Sequence, residues 1–245
     1  MALLSVERLH CGYGSNEIIH GIDFHVEPSE VVTILGPNGC GKTTFVRAIL
    51  GYVRMTEGRV HLADADLERL TPTARAALGI GYVPQLLNVF KPLTVLENLE
   101  MGGYQLARGA LDAAVDRLLA LFPILDARRG QRAGTLSGGE RQVLAIARAM
   151  MVAPKLIFLD EPSAGLSPRR ADEIFEHIRT ITSLGAAVVL IEQDAQRALN
   201  VSDRAYVFVT GEVAFAGLAA EVAADERIRA AYLGGTAQKP DTRRP

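Results

Sequence analysis

The sequence predicts an α/β fold: one core with a helical insertion and a β-rich N-terminal flank. Three observations lead to it. VVTIL (31–35), LIFL (156–159) and AAVVLI (186–191) are short, wholly apolar runs of the kind buried on both faces of a sheet. The stretches between them carry apolar residues at helical spacing. The first thirty residues alternate roughly instead, as half-buried strands do.

In chain order, LLSVERLH and IIHGIDFHV predict two strands separated by the turn-prone GYGSNE. VVTIL predicts a buried strand, followed by a glycine loop and a helix near 42–50. GRVHLAD returns to β, Thr71–Pro72 caps a helix with Pro at its first position, and IGYVP reads as another strand. From about 86 to 152 the pattern is almost entirely helical, through TVLENLEMGGYQL, ALDAAVDRLLALF and ERQVLAIARAMM. KLIFLD is a second buried strand, Ser167–Pro168 caps a helix running to Leu184, and AAVVLI is a third strand. RAYVFVTGEVAFAG predicts a hairpin turning at Thr210–Gly211. Residues 236–245, TAQKPDTRRP, read as an unstructured tail, which leaves 1–235 as a single domain.

Apolar content of 49% with 22% charged residues is that of a globular chain. With 26 basic residues against 28 acidic ones, bulk charge does not call for a polyanion, so no nucleic-acid partner is expected. Cys11 and Cys40 lack zinc-ligand spacing and fit a reducing, cytosolic setting. MALLSVERLH lacks the basic start and long apolar core of a signal peptide, and no apolar run has bilayer length. Any membrane role is therefore expected to come through a partner.

GPNGCGKTT (36–44) matches G-x-x-x-x-G-K-[ST] between a buried strand and a helix, the context this phosphate-binding P-loop requires. Gly36, Pro37, Asn38, Gly39, Cys40 and Gly41 would wrap successive N–H groups around phosphates. Lys42 reaches the β- and γ-phosphates, Thr43 offers a hydroxyl to Mg²⁺, and Thr44 completes the motif. Such a loop needs a carboxylate on a neighbouring strand. In KLIFLDEP, Asp160 suits the metal, and Glu161 can point at a water in line with the γ-phosphate and accept its proton. Taken alone, an Asp–Glu pair at a strand end reads as solvated; behind a P-loop the functional reading prevails. Residues 136–140, LSGGE, place a second glycine pair at a helix start, where backbone N–H groups favour an anion. A capping box accounts for Ser137 and Glu140 but not for the two glycines.

GPNGCGKTT, Gln85 in YVPQ, LSGGERQ and LIFLDEP, in this order, resemble the nucleotide-binding subunit of an ATP-binding cassette (ABC) transporter. The resemblance covers the chain except its tail. It implies a P-loop NTPase (RecA-like) core with an N-terminal antiparallel β flank and a helical subdomain at about 86–152. It implies ATP and Mg²⁺ as ligands, and two subunits docked head to tail. Ser137, Gly138 and Gly139 of one subunit then hold the γ-phosphate of the nucleotide on the other. Tyr13 matches the aromatic residue that stacks on adenine, with strand-end packing as its plain alternative. Gln85 matches the glutamine that touches Mg²⁺ or the attacking water, and LLNVFKPLTVLENL after it would form a groove for a short helix of the membrane partner. The implied partners are a second ATPase subunit, two membrane permeases and, indirectly, a substrate-binding protein. The implied location is the cytoplasmic face of the cell membrane.

Three positions depart from the family's pattern. Cys40 stands where alanine or serine is common, and its thiol is expected to be alkylatable. Ser167, in SAGLSP, replaces an aspartate. Gln193, in VVLIEQDAQRAL, stands where a histidine usually reaches the γ-phosphate and the water, and it cannot titrate there. The EQ pair and the ending AYLGG resemble one of the two ATPases of branched-chain amino acid importers. That implies a heterodimer in which the Gln193 site is slower or differently gated. ATPases of urea or short-amide importers, lipid exporters and soluble ABC proteins are the alternatives.

Overall fold

The computed structural model describes residues 2–226 apart from 87, together with residue 228. In chain order its elements are β1 (Leu4–Tyr13), β2 (Asn16–Val26), β3 (Val31–Leu35), α1 (Lys42–Ile49), β4 (Met55–Leu62), β5 (Ala65–Asp66), α2 (Pro72–Ala77), β6 (Ile80–Val83), α3 (Val95–Gly102), α4 (Arg108–Leu121), α5 (Pro123–Asp126), α6 (Gly138–Met150), β7 (Leu156–Asp160), α7 (Pro168–Ser183), β8 (Ala187–Ile191), α8 (Ala195–Val201), β9 (Arg204–Val209), β10 (Glu212–Leu218) and α9 (Ala219–Ala224). The tail 236–245 and the AYLGG ending lie outside the described residues.

The three apolar runs become β3, β7 and β8, inner strands of a sheet ordered β10-β9-β3-β8-β7-β6. Pairing is parallel throughout, except for the antiparallel β9–β10 hairpin. Alternation across the pleat explains why these strands must be apolar at every position. Val32 and Ile34 of β3, Phe158 of β7 and Val189 of β8 point to one face. There they meet the antiparallel sheet β2-β1-β4-β5 and α1. Val31, Leu159, Val188 and Leu190 point to the other face and pack with α3 to α8. The helix α1 is sandwiched by edge-on aromatic contacts of Phe45 with Phe24 and Phe208, ring centroids 5.2 Å apart in each pair.

Two expectations are refined. The turn in the first hairpin is shorter than GYGSNE suggests, because β1 runs to Tyr13 and β2 starts at Asn16, with Gly14 supplying a positive φ of 61°. Between 86 and 152 the helices are interrupted by loops before α3 and α6. The first loop is organised by Asn98, fully buried, which accepts from Phe90 N–H at 2.8 Å. Its amide donates to the Phe90 and Thr94 carbonyls at 3.0 and 2.8 Å. A buried amide with its valence satisfied fixes a loop that propensity alone leaves undefined.

Candidate nucleotide site

The C-terminal ends of four parallel strands deliver the site, the position where open α/β sheets gather ligands. The P-loop follows β3, Gln85 lies just beyond β6, Asp160 ends β7, and Gln193 lies just beyond β8. The strand carrying Asp160 is not the neighbour of β3 that the sequence suggests, because β8 lies between them. That intervening strand is what brings Gln193 to Glu161.

In the P-loop, Lys42 is 6% exposed and its ammonium donates to the Gly36 and Pro37 carbonyls at 2.7 and 3.1 Å. The first bond inside α1 runs from Phe45 N–H to Gly41 O at 2.9 Å, so the N–H groups before it face the loop. At Gly36 (φ 144°) a Cβ would fall 2.2 Å from the Phe208 carbonyl, and at Gly41 (φ 107°) 2.7 Å from Ile19 Cδ1. Gly39, with φ 80°, has open space where its Cβ would be. A loop closed on its inner side by the Phe208 backbone and the Ile19 side chain, and open at Gly39, fits a phosphate chain. Cys40 is buried beside it, its sulfur 3.9 Å from Lys42 Nζ, so the thiol expected to be alkylatable is shielded.

Asp160 is 5% exposed. Its Oδ2 accepts from the Tyr82 hydroxyl at 3.2 Å and faces the Thr43 hydroxyl at 3.5 Å. Burial pushes its carboxyl above the ordinary range, and the Tyr82 hydrogen bond opposes that rise. A hydroxyl and a carboxylate at this separation are hard oxygen donors that suit Mg²⁺.

Glu161 adopts φ 48°, left-handed and uncommon for a residue with a side chain. Its N–H donates to Ile191 O at 2.8 Å. Each carboxylate oxygen accepts one glutamine amide: Oε2 from Gln85 Nε2 at 2.6 Å, Oε1 from Gln193 Nε2 at 2.7 Å. Gln193 is thus aimed at the carboxylate, not only toward a phosphate as the sequence suggests. The amide oxygen of Gln85 stays free of this bond to act as a ligand.

Tyr13, at the end of β1, is half exposed, which speaks against core packing, and its hydroxyl engages Arg47. Ser137 caps α6, and the capping box is present: Ser137 N–H donates to Glu140 at 2.8 Å and Glu140 N–H returns to Ser137 Oγ at 3.4 Å. Arg128 holds Glu140 from the side at 2.9 Å. Ser137 and Gly138 stay exposed, while Gly139 is buried against Arg170. The body of α6 packs on the sheet face opposite that of α1. The two glycine-rich helix starts therefore belong to opposite layers of the chain. Ser167 is exposed at the start of α7.

Sequence reasoning gave two residues here no role of their own. Tyr82 sat inside an ordinary strand pattern. Glu192, 2% exposed, is the more legible of the two, as a carboxylate directly after an apolar run.

Residues 19–164 match the family model described as ABC transporter. The chain is 40% identical over 233 residues, 95% of its length and 100% of the relative's, to the high-affinity branched-chain amino acid transport ATP-binding protein BraG of Pseudomonas aeruginosa. It is 39% identical to the probable branched-chain amino acid transport ATP-binding protein LivF of Archaeoglobus fulgidus, covering 95% and 99% of the two chains. The lipopolysaccharide export system ATP-binding protein LptB of Haemophilus influenzae is 35% identical, with 96% and 98% covered. Among solved structures, the ADP conformation of MJ1267, an ATP-binding cassette of an ABC transporter, superposes with a TM-score of 0.85 at 29% identity, with 93% and 97% covered.

Proposed function

The chain belongs to the ABC transporter family as an ATP-hydrolysing subunit, and from that premise we propose that it powers a membrane importer of branched-chain (hydrophobic) amino acids. Hydrolysis rests on one observation: the Glu161 carboxylate stands beside the P-loop with both oxygens oriented by amides. A carboxylate so held polarises a water in line with the γ-phosphate and accepts its proton. Lys42 exchanges its loop carbonyls for phosphate oxygens, and the loop N–H groups align the chain of phosphates. Thr43, Asp160 and the Gln85 amide oxygen would hold Mg²⁺, which supplies positive charge to the developing phosphate oxygens. Tyr13 stacks on the adenine.

Ser137, Gly138 and Gly139 close over the nucleotide of a second ATPase subunit. The exposure of Ser137 and Gly138, and the place of this helix start in the layer opposite α1, support action between subunits. Because Gln193 cannot titrate, the two sites of the pair are chemically unlike. We take the partner to be a different chain, with the Gln193 site turning over more slowly. Among the described residues no helix is long and apolar enough to cross a membrane. Exposed Tyr52, Tyr104 and Val152 line a cleft of about 250 Å³ beside Ile80 and Gly102, with Leu86 and Phe90 also exposed on the loop after Gln85. A permease helix seated there attaches the chain to the cytoplasmic face of the cell membrane, and a substrate-binding protein completes the importer. The amino-acid cargo is carried over from the names of the two relatives near 40% identity.

The test is co-purification from membranes followed by uptake of labelled leucine, urea and a lipid in vesicles. Leucine uptake that stops in Glu161→Gln supports the reading. Uptake of urea, or lipid movement without leucine uptake, replaces the cargo. ATP hydrolysis persisting in Glu161→Gln removes the assigned chemistry.

A further inference from the structure

Glu192 has no part in the chemistry above, yet it is 2% exposed and directly follows the strand that passes between the P-loop strand and the Asp160 strand. A buried carboxylate is costly unless hydrogen-bonded. Among the described residues its partners are backbone donors rather than a cation: Oε1 accepts from Ser163 N–H at 2.9 Å, and Oε2 from Gln193 N–H at 3.2 Å.

These bonds close a ring with those already described. Glu161 N–H holds Ile191 O, Gln193 Nε2 holds Glu161 Oε1, and Glu192 holds the turn that leaves Glu161 together with the backbone that presents Gln193. Inside the ring sits Glu161 in its left-handed conformation, which persists only where surrounding structure over-determines it. We propose that Glu192 is a positioning residue for hydrolysis: its carboxylate pins the backbone of Gln193 to the Ser163 turn and thereby aims the Gln193 amide at Glu161. An apolar residue would complete the core here at lower desolvation cost, but it would leave two N–H donors without acceptors and the ring open.

The inference rests on the roles proposed for Glu161 and Gln193, and the experiment separates the two. ATP turnover, KM for ATP and melting temperature are measured on the purified full chain carrying Glu192→Gln, Gln193→Ala, both changes, or Glu161→Gln. The amide keeps the volume but turns an NH₂ toward one of the two donors. Turnover should fall about ten-fold, the worth of one charge-assisted hydrogen bond. KM should stay within about two-fold and the melting temperature should not drop, since the buried charge is gone. Because Glu192 acts through Gln193, the double variant should be no more than about two-fold slower than Gln193→Ala. Wild-type turnover in Glu192→Gln, or losses that multiply in the double variant, would overturn the proposal. If Glu192→Gln does not fold, Glu192→Asp, which withdraws the carboxylate from both N–H donors by one methylene, is taken through the same cycle, and multiplying losses there overturn it equally. Turnover surviving in Glu161→Gln would instead refute the underlying reading of the site.

Discussion

Replacing Arg75 with Met tests how the P-loop helix is anchored. Arg75 is 3% exposed, and its guanidinium donates to Leu70 O at 3.0 Å, Ala48 O at 2.8 Å and Ile49 O at 2.6 Å. It thus caps the C-terminal end of α1, where helix carbonyls lack partners. Ala48 O also accepts from Gly51 N–H at 3.0 Å, so in the variant the exposed loss falls on Ile49 O and Leu70 O. Two stranded carbonyls cost roughly 2–6 kcal/mol. Two effects pull toward the low end. Burial already lowers the Arg75 pKa, so removing the charge recovers desolvation. An open cavity of about 600 Å³ lined by Gly51, Leu70 and Arg75 also lets water reach the carbonyls. The net expectation is about 2–3 kcal/mol, a loss of roughly 4–12 °C in melting temperature for a domain of this size. Differential scanning calorimetry with and without ATP measures it. A shift below about 2 °C would refute the capping argument, because it would mean that the three bonds add nothing beyond the desolvation they offset.

Gly36→Ala should destabilise the chain by more than about 2 kcal/mol and abolish ATP binding, because its Cβ meets the Phe208 backbone at 2.2 Å. Gly39→Ala, in open space, should cost only about 1 kcal/mol; equal effects in thermal melts would contradict the steric distinction. Tyr13→Ala should raise KM for ATP by roughly 5- to 150-fold, the range of one base-stacking contact, while an unchanged KM would return Tyr13 to a packing role. Burial lowers the pKa of His177, which packs edge-on against Phe122 at 5.0 Å, so the folded state favours the neutral ring. Its contribution is complete above pH 6.5 and is lost as the pH falls below that value, because the unfolded chain then takes up the proton first. His177→Gln should flatten that part of the pH–melting profile; an identical slope in both proteins would assign the dependence to other groups.

Local chemistry is what a sequence carries in the open. The P-loop was legible because its glycines, Lys42 and Thr43 lie within nine consecutive residues whose spacing is itself the phosphate cradle. The buried strands were legible because a strand covered on both faces must be apolar throughout, and the α6 start because Ser137 and Glu140 form a cap from their own neighbourhood. Boundaries were less clear where strands ran on into a turn, as at Tyr13 and Asn16, since backbone pairing there owes nothing to side-chain pattern.

The order of strands decided the rest. A parallel sheet sets side by side residues that are distant along the chain, and nothing in KLIFLDEP or VVLIEQ says that β8 separates β3 from β7. That one crossing places Gln193 on Glu161, sets Glu192 beneath Ser163, and turns a pair of separate motifs into a hydrogen-bonded ring. Residue types and their spacing determined which chemistry this chain can hold; only the tertiary structure, through hydrogen bonds between distant strand ends, decided which side chain orients which.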